Sequence, residues 1–290
     1  MPVSTPARPA VEMLEQLKAL DEPGKAVAKK VRELLGGGRL KEAVSGTGLG
    51  HPAHPPLTDV VIGSFMSASL LDLIAPQAGA TSARLIALGI AASAPTALTG
   101  VSDWADTELS DDGVRRVGMV HAAANVSALL TYAASLLARR RGARARGALL
   151  ALTGASLLTA GGYLGGHMAY VRGVGVNQTV FDPGPQEWTP VLNSSELQDG
   201  KLHSVHAEGT PVMLVRQNNT TYAIHDRCSH RGCLLSDGDL DGTTVTCGCH
   251  GSQFDVRDGT LLRGPATTSQ PTMEVREADG RVEVRRVTLD

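Results

Sequence analysis

Large rings are scarce in this 290-residue chain: three Phe, four Tyr and two Trp, 3% in all. That is low for a soluble domain of this size, and it suits helices that pack closely through small residues. Charge of one sign is also lacking. Lys+Arg 27 against Asp+Glu 29 leaves a net charge of −2, so no basic surface points to a nucleic-acid partner. Charges are few between about residues 57 and 172, outside short loops, and residues 147–169 contain no acidic residue and no Lys. Cysteine is scarce too. The four that exist lie together, at 228, 233, 247 and 249.

The charge-poor region holds four apolar segments, near 57–75, 83–101, 117–138 and 147–169. Each is long enough for a hydrocarbon core of about 30 Å at about 1.5 Å per residue. Gly, Ala, Ser and Thr recur within them, as in helices that approach backbone to backbone. A soluble four-helix bundle would instead carry a polar stripe on every helix. The segments therefore predict four transmembrane helices. Residues 1–10 read as a disordered tail. Residues 11–35 show helical spacing of Val11, Leu14, Leu17, Val27, Val31 and Leu34, which predicts amphipathic helices either on a membrane surface or as a solvated hairpin.

From about residue 177 the pattern changes. Asp-Gly pairs recur at 237–238, 241–242, 258–259 and 279–280, and Asn218-Asn219 separates two apolar runs. Short β-rich runs at 212–216, 221–225, 243–247, 272–277 and 281–287 lie between these turn signals. The expected fold class is α + β in separate domains, a four-helix transmembrane bundle followed by a small antiparallel all-β domain. The expected boundaries are 1–44 for the amphipathic N-terminal segment, 45–176 for the membrane domain and 180–288 for the β domain.

Within the β domain, Cys228 and His230 stand in CSHRGC, and Cys247 and His250 stand in CGCH. Two thiolates and two imidazoles suit a tetrahedral zinc or a two-iron cluster with two cysteines on one iron and two histidines on the other. Zinc sites tend to pair a C-x-x-C hairpin with two histidines. Here each loop offers one Cys and one His, which suits two irons that both loops must reach.

CSHRGC and CGCHGSQFD, with RGPA at 263–266, resemble the Rieske family over roughly residues 180–288. The resemblance implies that Cys228 and Cys247 bind the inner iron and that His230 and His250 bind the outer one, with their ring edges toward solvent. It implies that Ser252 donates to a bridging sulfide and that Pro265 covers the cluster. Phe254 stands where the highest-potential members carry a tyrosine, so a lower potential is expected. Cys233 and Cys249 match positions that form a disulfide in the Rieske proteins of quinol-oxidising complexes; many Rieske ferredoxins that feed oxygenases lack both. A disulfide between them would favour an oxidising compartment. His203, His206 and His225 have no metal spacing and read as surface or packing residues.

GHPAHPPLTDVVIG (50–63), TGVSDW (99–104), the His121/Asn125 pair and GGHMAYVRGVGV (165–176) resemble a family of small four-helix membrane proteins of unknown function, over about 45–176. Four spans place His54, His121 and His167 on one side, where two histidines could ligate a haem b or one could bind a quinol. Asp72 lies nearer the other side and reads as a cap or an interhelical hydrogen-bonding residue. Five arginines at 139–146 favour a cytoplasmic loop between the third and fourth spans, which puts the β domain on the extracytoplasmic face of the cell membrane. The eight Lys and Arg between Arg8 and Lys41 pull the other way.

The expected function is a membrane-anchored [2Fe–2S] electron carrier. It would serve as an oxidoreductase component rather than a self-contained catalyst, exchanging single electrons with redox proteins or a quinol. Two alternatives stand beside it: a zinc-bound interaction module on a membrane anchor, and a cytoplasm-facing tethered ferredoxin feeding an oxygenase or reductase.

Overall fold

The computed structural model describes residues 8–287. Of the tail expected over residues 1–10, residues 8–10 open the first helix and the rest lies outside the described residues. Contacts divide the chain into two units. One contains the residues up to Leu35 together with Ala53–Gly175; the other contains Gly36–Pro52 together with the chain from Val176 onward.

The first unit is helical. α1 (Arg8–Glu15) and α2 (Asp21–Leu35) come first; α3 (Arg39–Ser45) belongs to the second unit. Four long helices follow: α4 (His54–Ile74), α5 (Gly79–Thr107), α6 (Asp112–Arg140) and α7 (Arg144–Tyr170). All four are long and apolar enough to cross a membrane. Large apolar residues such as Leu70, Leu88, Leu130 and Leu149 point outward from them.

The scarcity of aromatics has a packing explanation. Three rings of the helical unit lie against glycines. A Cβ on Gly89 would come within 2.5 Å of Phe65, one on Gly154 within 2.9 Å of Tyr132, and one on Gly118 within 2.2 Å of Trp104. Phe65 and Tyr132 stack with centroids 4.0 Å apart. A few rings set into glycine notches fill space that a soluble core would fill with many.

The helices outrun the apolar segments that announce them. α5 continues to Thr107 and α6 starts at Asp112 because charge pairs hold their ends. The fully buried Glu108 carboxylate accepts from Arg115 Nε at 2.6 Å and from Arg32 Nη1 at 2.9 Å. Arg116 grips Asp21 through Nε and Nη2, each at 2.7 Å. Buried charges persist only when paired in this way. These pairs tie α2 to the bundle, so the N-terminal helices are not a free hairpin. Val11 and Ala28 are buried with Trp104, Val114, Val117, Leu164 and Met168. Further along, Asp72 of α4 takes both terminal nitrogens of Arg139 of α6. This interhelical ion pair buries one of the five arginines of the 139–146 stretch.

The second unit contains ten strands in two antiparallel sheets. β1 (Thr189–Asn193), β2 (Leu202–Ala207), β3 (Thr210–Gln217) and β4 (Thr220–His225) combine with β9 (Thr272–Ala278) and β10 (Arg281–Arg286) in the order β1-β10-β9-β4-β3-β2. β5 (Asp239–Asp241), β6 (Thr244–Thr246), β7 (Gln253–Asp255) and β8 (Leu261–Arg263) form the smaller sheet in sequential order. Tight hairpins join β3 to β4 and β9 to β10 at Asn218-Asn219 and Asp279-Gly280, whose residues all have positive φ. Five strands, β1, β2, β5, β7 and β8, lie outside the runs marked in the sequence. Three of these contain only three residues, too few for alternation to register.

β3 is buried on both faces. Val212 and Leu214 join one core, while Met213 and Val215 join the other. The second core also contains Ile224, Leu235, Val245, Phe254, Val256 and Ala266, together with Cys228 and Cys247. The cysteine loops are thus rooted in the hydrophobic interior.

Candidate metal centre

Two loops carry the cysteines and histidines. The first runs from Cys228 to Cys233 after β4, and the second from Cys247 to Ser252 between β6 and β7. Their backbones repeat one pattern. Cys228 N donates to Cys233 O at 2.8 Å, and Gly232 N donates to Cys228 O at 2.9 Å. Cys247 N donates to Ser252 O at 2.8 Å, and Gly251 N donates to Cys247 O at 3.0 Å. Each loop closes through a glycine of positive φ, +78° at Gly232 and +77° at Gly251, a conformation that L side chains adopt only at a cost.

This arrangement brings four donors together. Cys228 and Cys247 are both buried and neither is in a disulfide. Their thiols share a hydrogen bond, which holds Cys247 down to about 6 against the opposing effect of burial; the N–H groups of Cys249 and His250 add to the lowering. Cys228 moves the other way, well above the ordinary thiol range, through the same hydrogen bond and its burial. His230 and His250 are half-buried, with ring centroids 5.0 Å apart and planes nearly perpendicular. Burial, then the neighbouring Arg231, His250 and Lys41, hold His230 well below the usual imidazole range. It is therefore neutral, the form that ligates metals. Two cysteine sulfurs and two histidine rings are the donor chemistry of a two-iron cluster, and this site fits one.

Cys233 and Cys249 form a disulfide, with Cα atoms 6.5 Å apart. It joins the two loops covalently. The sulfurs of Cys233, Cys247 and Cys249 lie within 4.8 Å of one another. Because two of them are bonded together, that trio offers only the Cys247 thiol to a metal.

Ser252 is buried, and its Oγ accepts from Ala266 N at 2.9 Å. That leaves the hydroxyl hydrogen for another acceptor. Phe254 is fully buried in β7, and Pro265 follows a cis bond in the loop after β8.

Three residues not singled out from the sequence build the first loop. The fully buried Asp226 accepts from Ser236 N at 2.8 Å, Ser204 Oγ at 2.6 Å and Ser236 Oγ at 2.7 Å. Gln270 accepts from Ser229 N at 3.1 Å and donates to the carbonyls of His225 and Arg227. Asp182 faces Nε2 of His225 at 3.3 Å. His225 is completely buried, and its Nδ1 accepts from Arg227 N at 3.1 Å; it is a packing residue behind the loop. No spacing rule marks any of these positions.

The helical histidines are engaged by their neighbours. His54 Nδ1 contacts Thr96 O at 3.0 Å and His121 Nδ1 contacts Gly161 O at 2.8 Å. The His54 ring sits in a notch at Gly100, where a Cβ would come within 2.6 Å. His167 Nε2 meets Glu15 Oε1 at 2.8 Å, and that carboxylate also pairs with Arg172.

A two-sheet β domain with this donor set defines an electron-transfer domain of the iron–sulfur class. The chain belongs to the Rieske [2Fe-2S] domain family, matched over residues 187–274, and residues 50–178 match the family described as Predicted membrane protein (DUF2231). It is similar to Ferredoxin CarAc of Metapseudomonas resinovorans, 34% identical over 100 residues that make up 34% of this chain and 94% of the relative. It is 30% identical over 105 residues to the ferredoxin component of the naphthalene 1,2-dioxygenase system of Pseudomonas aeruginosa, covering 36% of this chain and 96% of that one. Sulredoxin of Sulfurisphaera tokodaii is 28% identical over 105 residues, 33% of this chain and 96% of the relative. About a third of the chain therefore accounts for almost the whole of each relative. The role supported for this chain is Rieske electron transfer.

Proposed function

We propose that the chain is a membrane-anchored electron carrier in which Cys228 and Cys247 hold the inner iron of a [2Fe–2S] cluster and His230 and His250 hold the outer iron. The observation that carries this reading is the pair of loops with matching backbones, which bring two buried thiols and two facing imidazoles together while a separate disulfide takes the other two cysteines. The cluster supplies one-electron chemistry. The protein holds it, keeps the His230 ring neutral and sets its potential through donors such as the Ser252 hydroxyl. The curated relatives include ferredoxin components of dioxygenase systems, which supports a protein redox partner.

Four apolar helices with outward-facing apolar side chains support the membrane anchor. The disulfide supports an extracytoplasmic β domain. With Arg139 neutralised by Asp72, the charges left to orient the third loop are Arg140, Arg141, Arg144 and Arg146.

Protein purified from membranes is expected to contain two irons and two acid-labile sulfides per chain, with a Rieske-type electron paramagnetic resonance spectrum after reduction. His230→Ala and Cys247→Ala should each abolish it. Stoichiometric zinc without sulfide, from cells with intact cluster assembly, would overturn the reading. Paired C-terminal reporters, one active outside and one fluorescent inside, test orientation. An inside signal would favour a tethered cytoplasmic ferredoxin.

A further inference from the structure

The two ends of the helical unit treat arginine differently. At the end where α5 and α7 finish, guanidinium groups are paired: Arg32 and Arg115 hold Glu108, Arg116 holds Asp21, and Arg172 holds Glu15. The other end, where α4 and α6 finish and α5 and α7 start, contains Arg84, Arg139, Arg140, Arg141, Arg144 and Arg146. Asp72 is the only acidic residue between positions 60 and 102, and none occurs from 113 to 181. That carboxylate is taken by Arg139. The other arginines of this end are exposed, and none of them forms an ion pair among the described residues. Six guanidinium groups against one carboxylate leave five uncompensated positive charges.

Four of those charges lie within residues 140–146, and their mutual repulsion favours an anionic partner. A guanidinium presents parallel N–H donors that fit a phosphate. The length of the helices selects the source of that phosphate. α6 has 29 residues, about 43 Å at ~1.5 Å each, which matches the ~40–45 Å of a bilayer with its headgroups. A helix of that length placed across a bilayer has both charged ends at headgroup depth. One turn inward from the arginines, Leu137 and Leu149 are 48% and 66% exposed, and at that depth they meet acyl chains.

We propose that this end of the bundle binds anionic phospholipid headgroups. Arg140, Arg141, Arg144 and Arg146 take the phosphates, with Arg84 adding its charge, while Asp72 withholds Arg139 to join α4 to α6. The arginine stretch then does more than orient the chain during insertion: it selects the lipids around the folded protein. The proposal rests on the membrane-anchor reading above.

The full chain, purified in a neutral detergent and titrated with phosphatidylglycerol or phosphatidylcholine, tests it, with bound lipid counted by native mass spectrometry. The anionic lipid should bind at least tenfold tighter than the zwitterionic one, and the preference should shrink as salt is raised. Substituting Arg140, Arg141, Arg144 and Arg146 together by Gln should abolish the preference, with iron and sulfide content unchanged. Arg84→Gln alone should weaken binding of the anionic lipid by about fivefold. Because binding is read after solubilisation, an altered insertion direction in the variants does not affect the result. Equal binding of the two lipids by the unaltered chain, or a preference indifferent to salt, overturns the proposal without a variant being needed, and leaves the membrane anchor standing. Displacement of the lipid by inorganic phosphate at the same concentration would show a site for free anions and overturn the assignment to lipid. Recovery of the unaltered chain in the soluble fraction without detergent overturns both the proposal and the membrane anchor.

Discussion

The two cysteine loops have the same backbone and different supports. Both close a cysteine carbonyl onto a glycine N–H four residues later, and both end with a carbonyl that accepts from the cysteine N–H. The first is braced from behind by Asp226 and Gln270, side chains contributed by the end of β4 and by the approach to β9. The second is braced by its own last residue, Ser252, on Ala266, and by Arg263, whose guanidinium donates to Gly251 O at 3.0 Å. Matching backbone geometry does not need matching side chains. It needs every buried polar group of each loop to find a partner, and any nearby element can supply one.

That contrast can be broken most severely at Asp226. Asp226→Ala would remove the buried acceptor of Ser204 Oγ, Ser236 N and Ser236 Oγ, three bonds to one charged group, at a cost of about 3 kcal/mol. The cluster's visible absorbance should then be lost at clearly lower urea concentration. An unchanged midpoint would mean that the first loop does not depend on this carboxylate.

The backbone equivalence is tested at the glycines. Gly232→Ala and Gly251→Ala each force an alanine into the left-handed region, at a cost of about 1–2 kcal/mol. The second should cost slightly more, because its Cβ would meet Arg263 Nη2 at 3.3 Å, whereas the nearest atom at Gly232 is 3.6 Å away. A urea series on both variants measures the difference. If either substitution proves neutral, the two loops are not equivalent.

The smallest effect on stability is expected from Ser252→Ala, about 1 kcal/mol for the lost bond to Ala266. Its main signature should be a lower midpoint potential, because one donor toward the cluster sulfurs disappears. A potential identical to that of the unaltered protein would remove Ser252 from the cluster's surroundings.

Local patterns made several features legible. CSHRGC and CGCH marked two thiols and two imidazoles as candidate ligands, and the family resemblance implied the disulfide that joins Cys233 to Cys249. Asn218-Asn219 and Asp279-Gly280 marked hairpins because positive φ is a property of a few residue types. The apolar segments located α4 to α7, but their ends were misjudged. At Thr107 and Asp112 the helices run on into charged sequence, and the ion pairs that permit this join residues 76 and 95 positions apart. Strands of three residues left no periodic trace at all.

The sequence by itself determined the chemistry: which side chains can bind soft metal ions, which turns the backbone can make, and which stretches are apolar enough for a membrane. These depend on residue type and short spacing, so neighbours along the chain suffice. Only the tertiary structure decided what surrounds that chemistry. It placed Asp226 and Gln270 behind the first loop, gave Glu108 its two arginines, and set Thr47 against Ala266, 219 positions away. A buried polar group is satisfied by whatever lies nearest in space, and a linear pattern carries no record of which residue that will be.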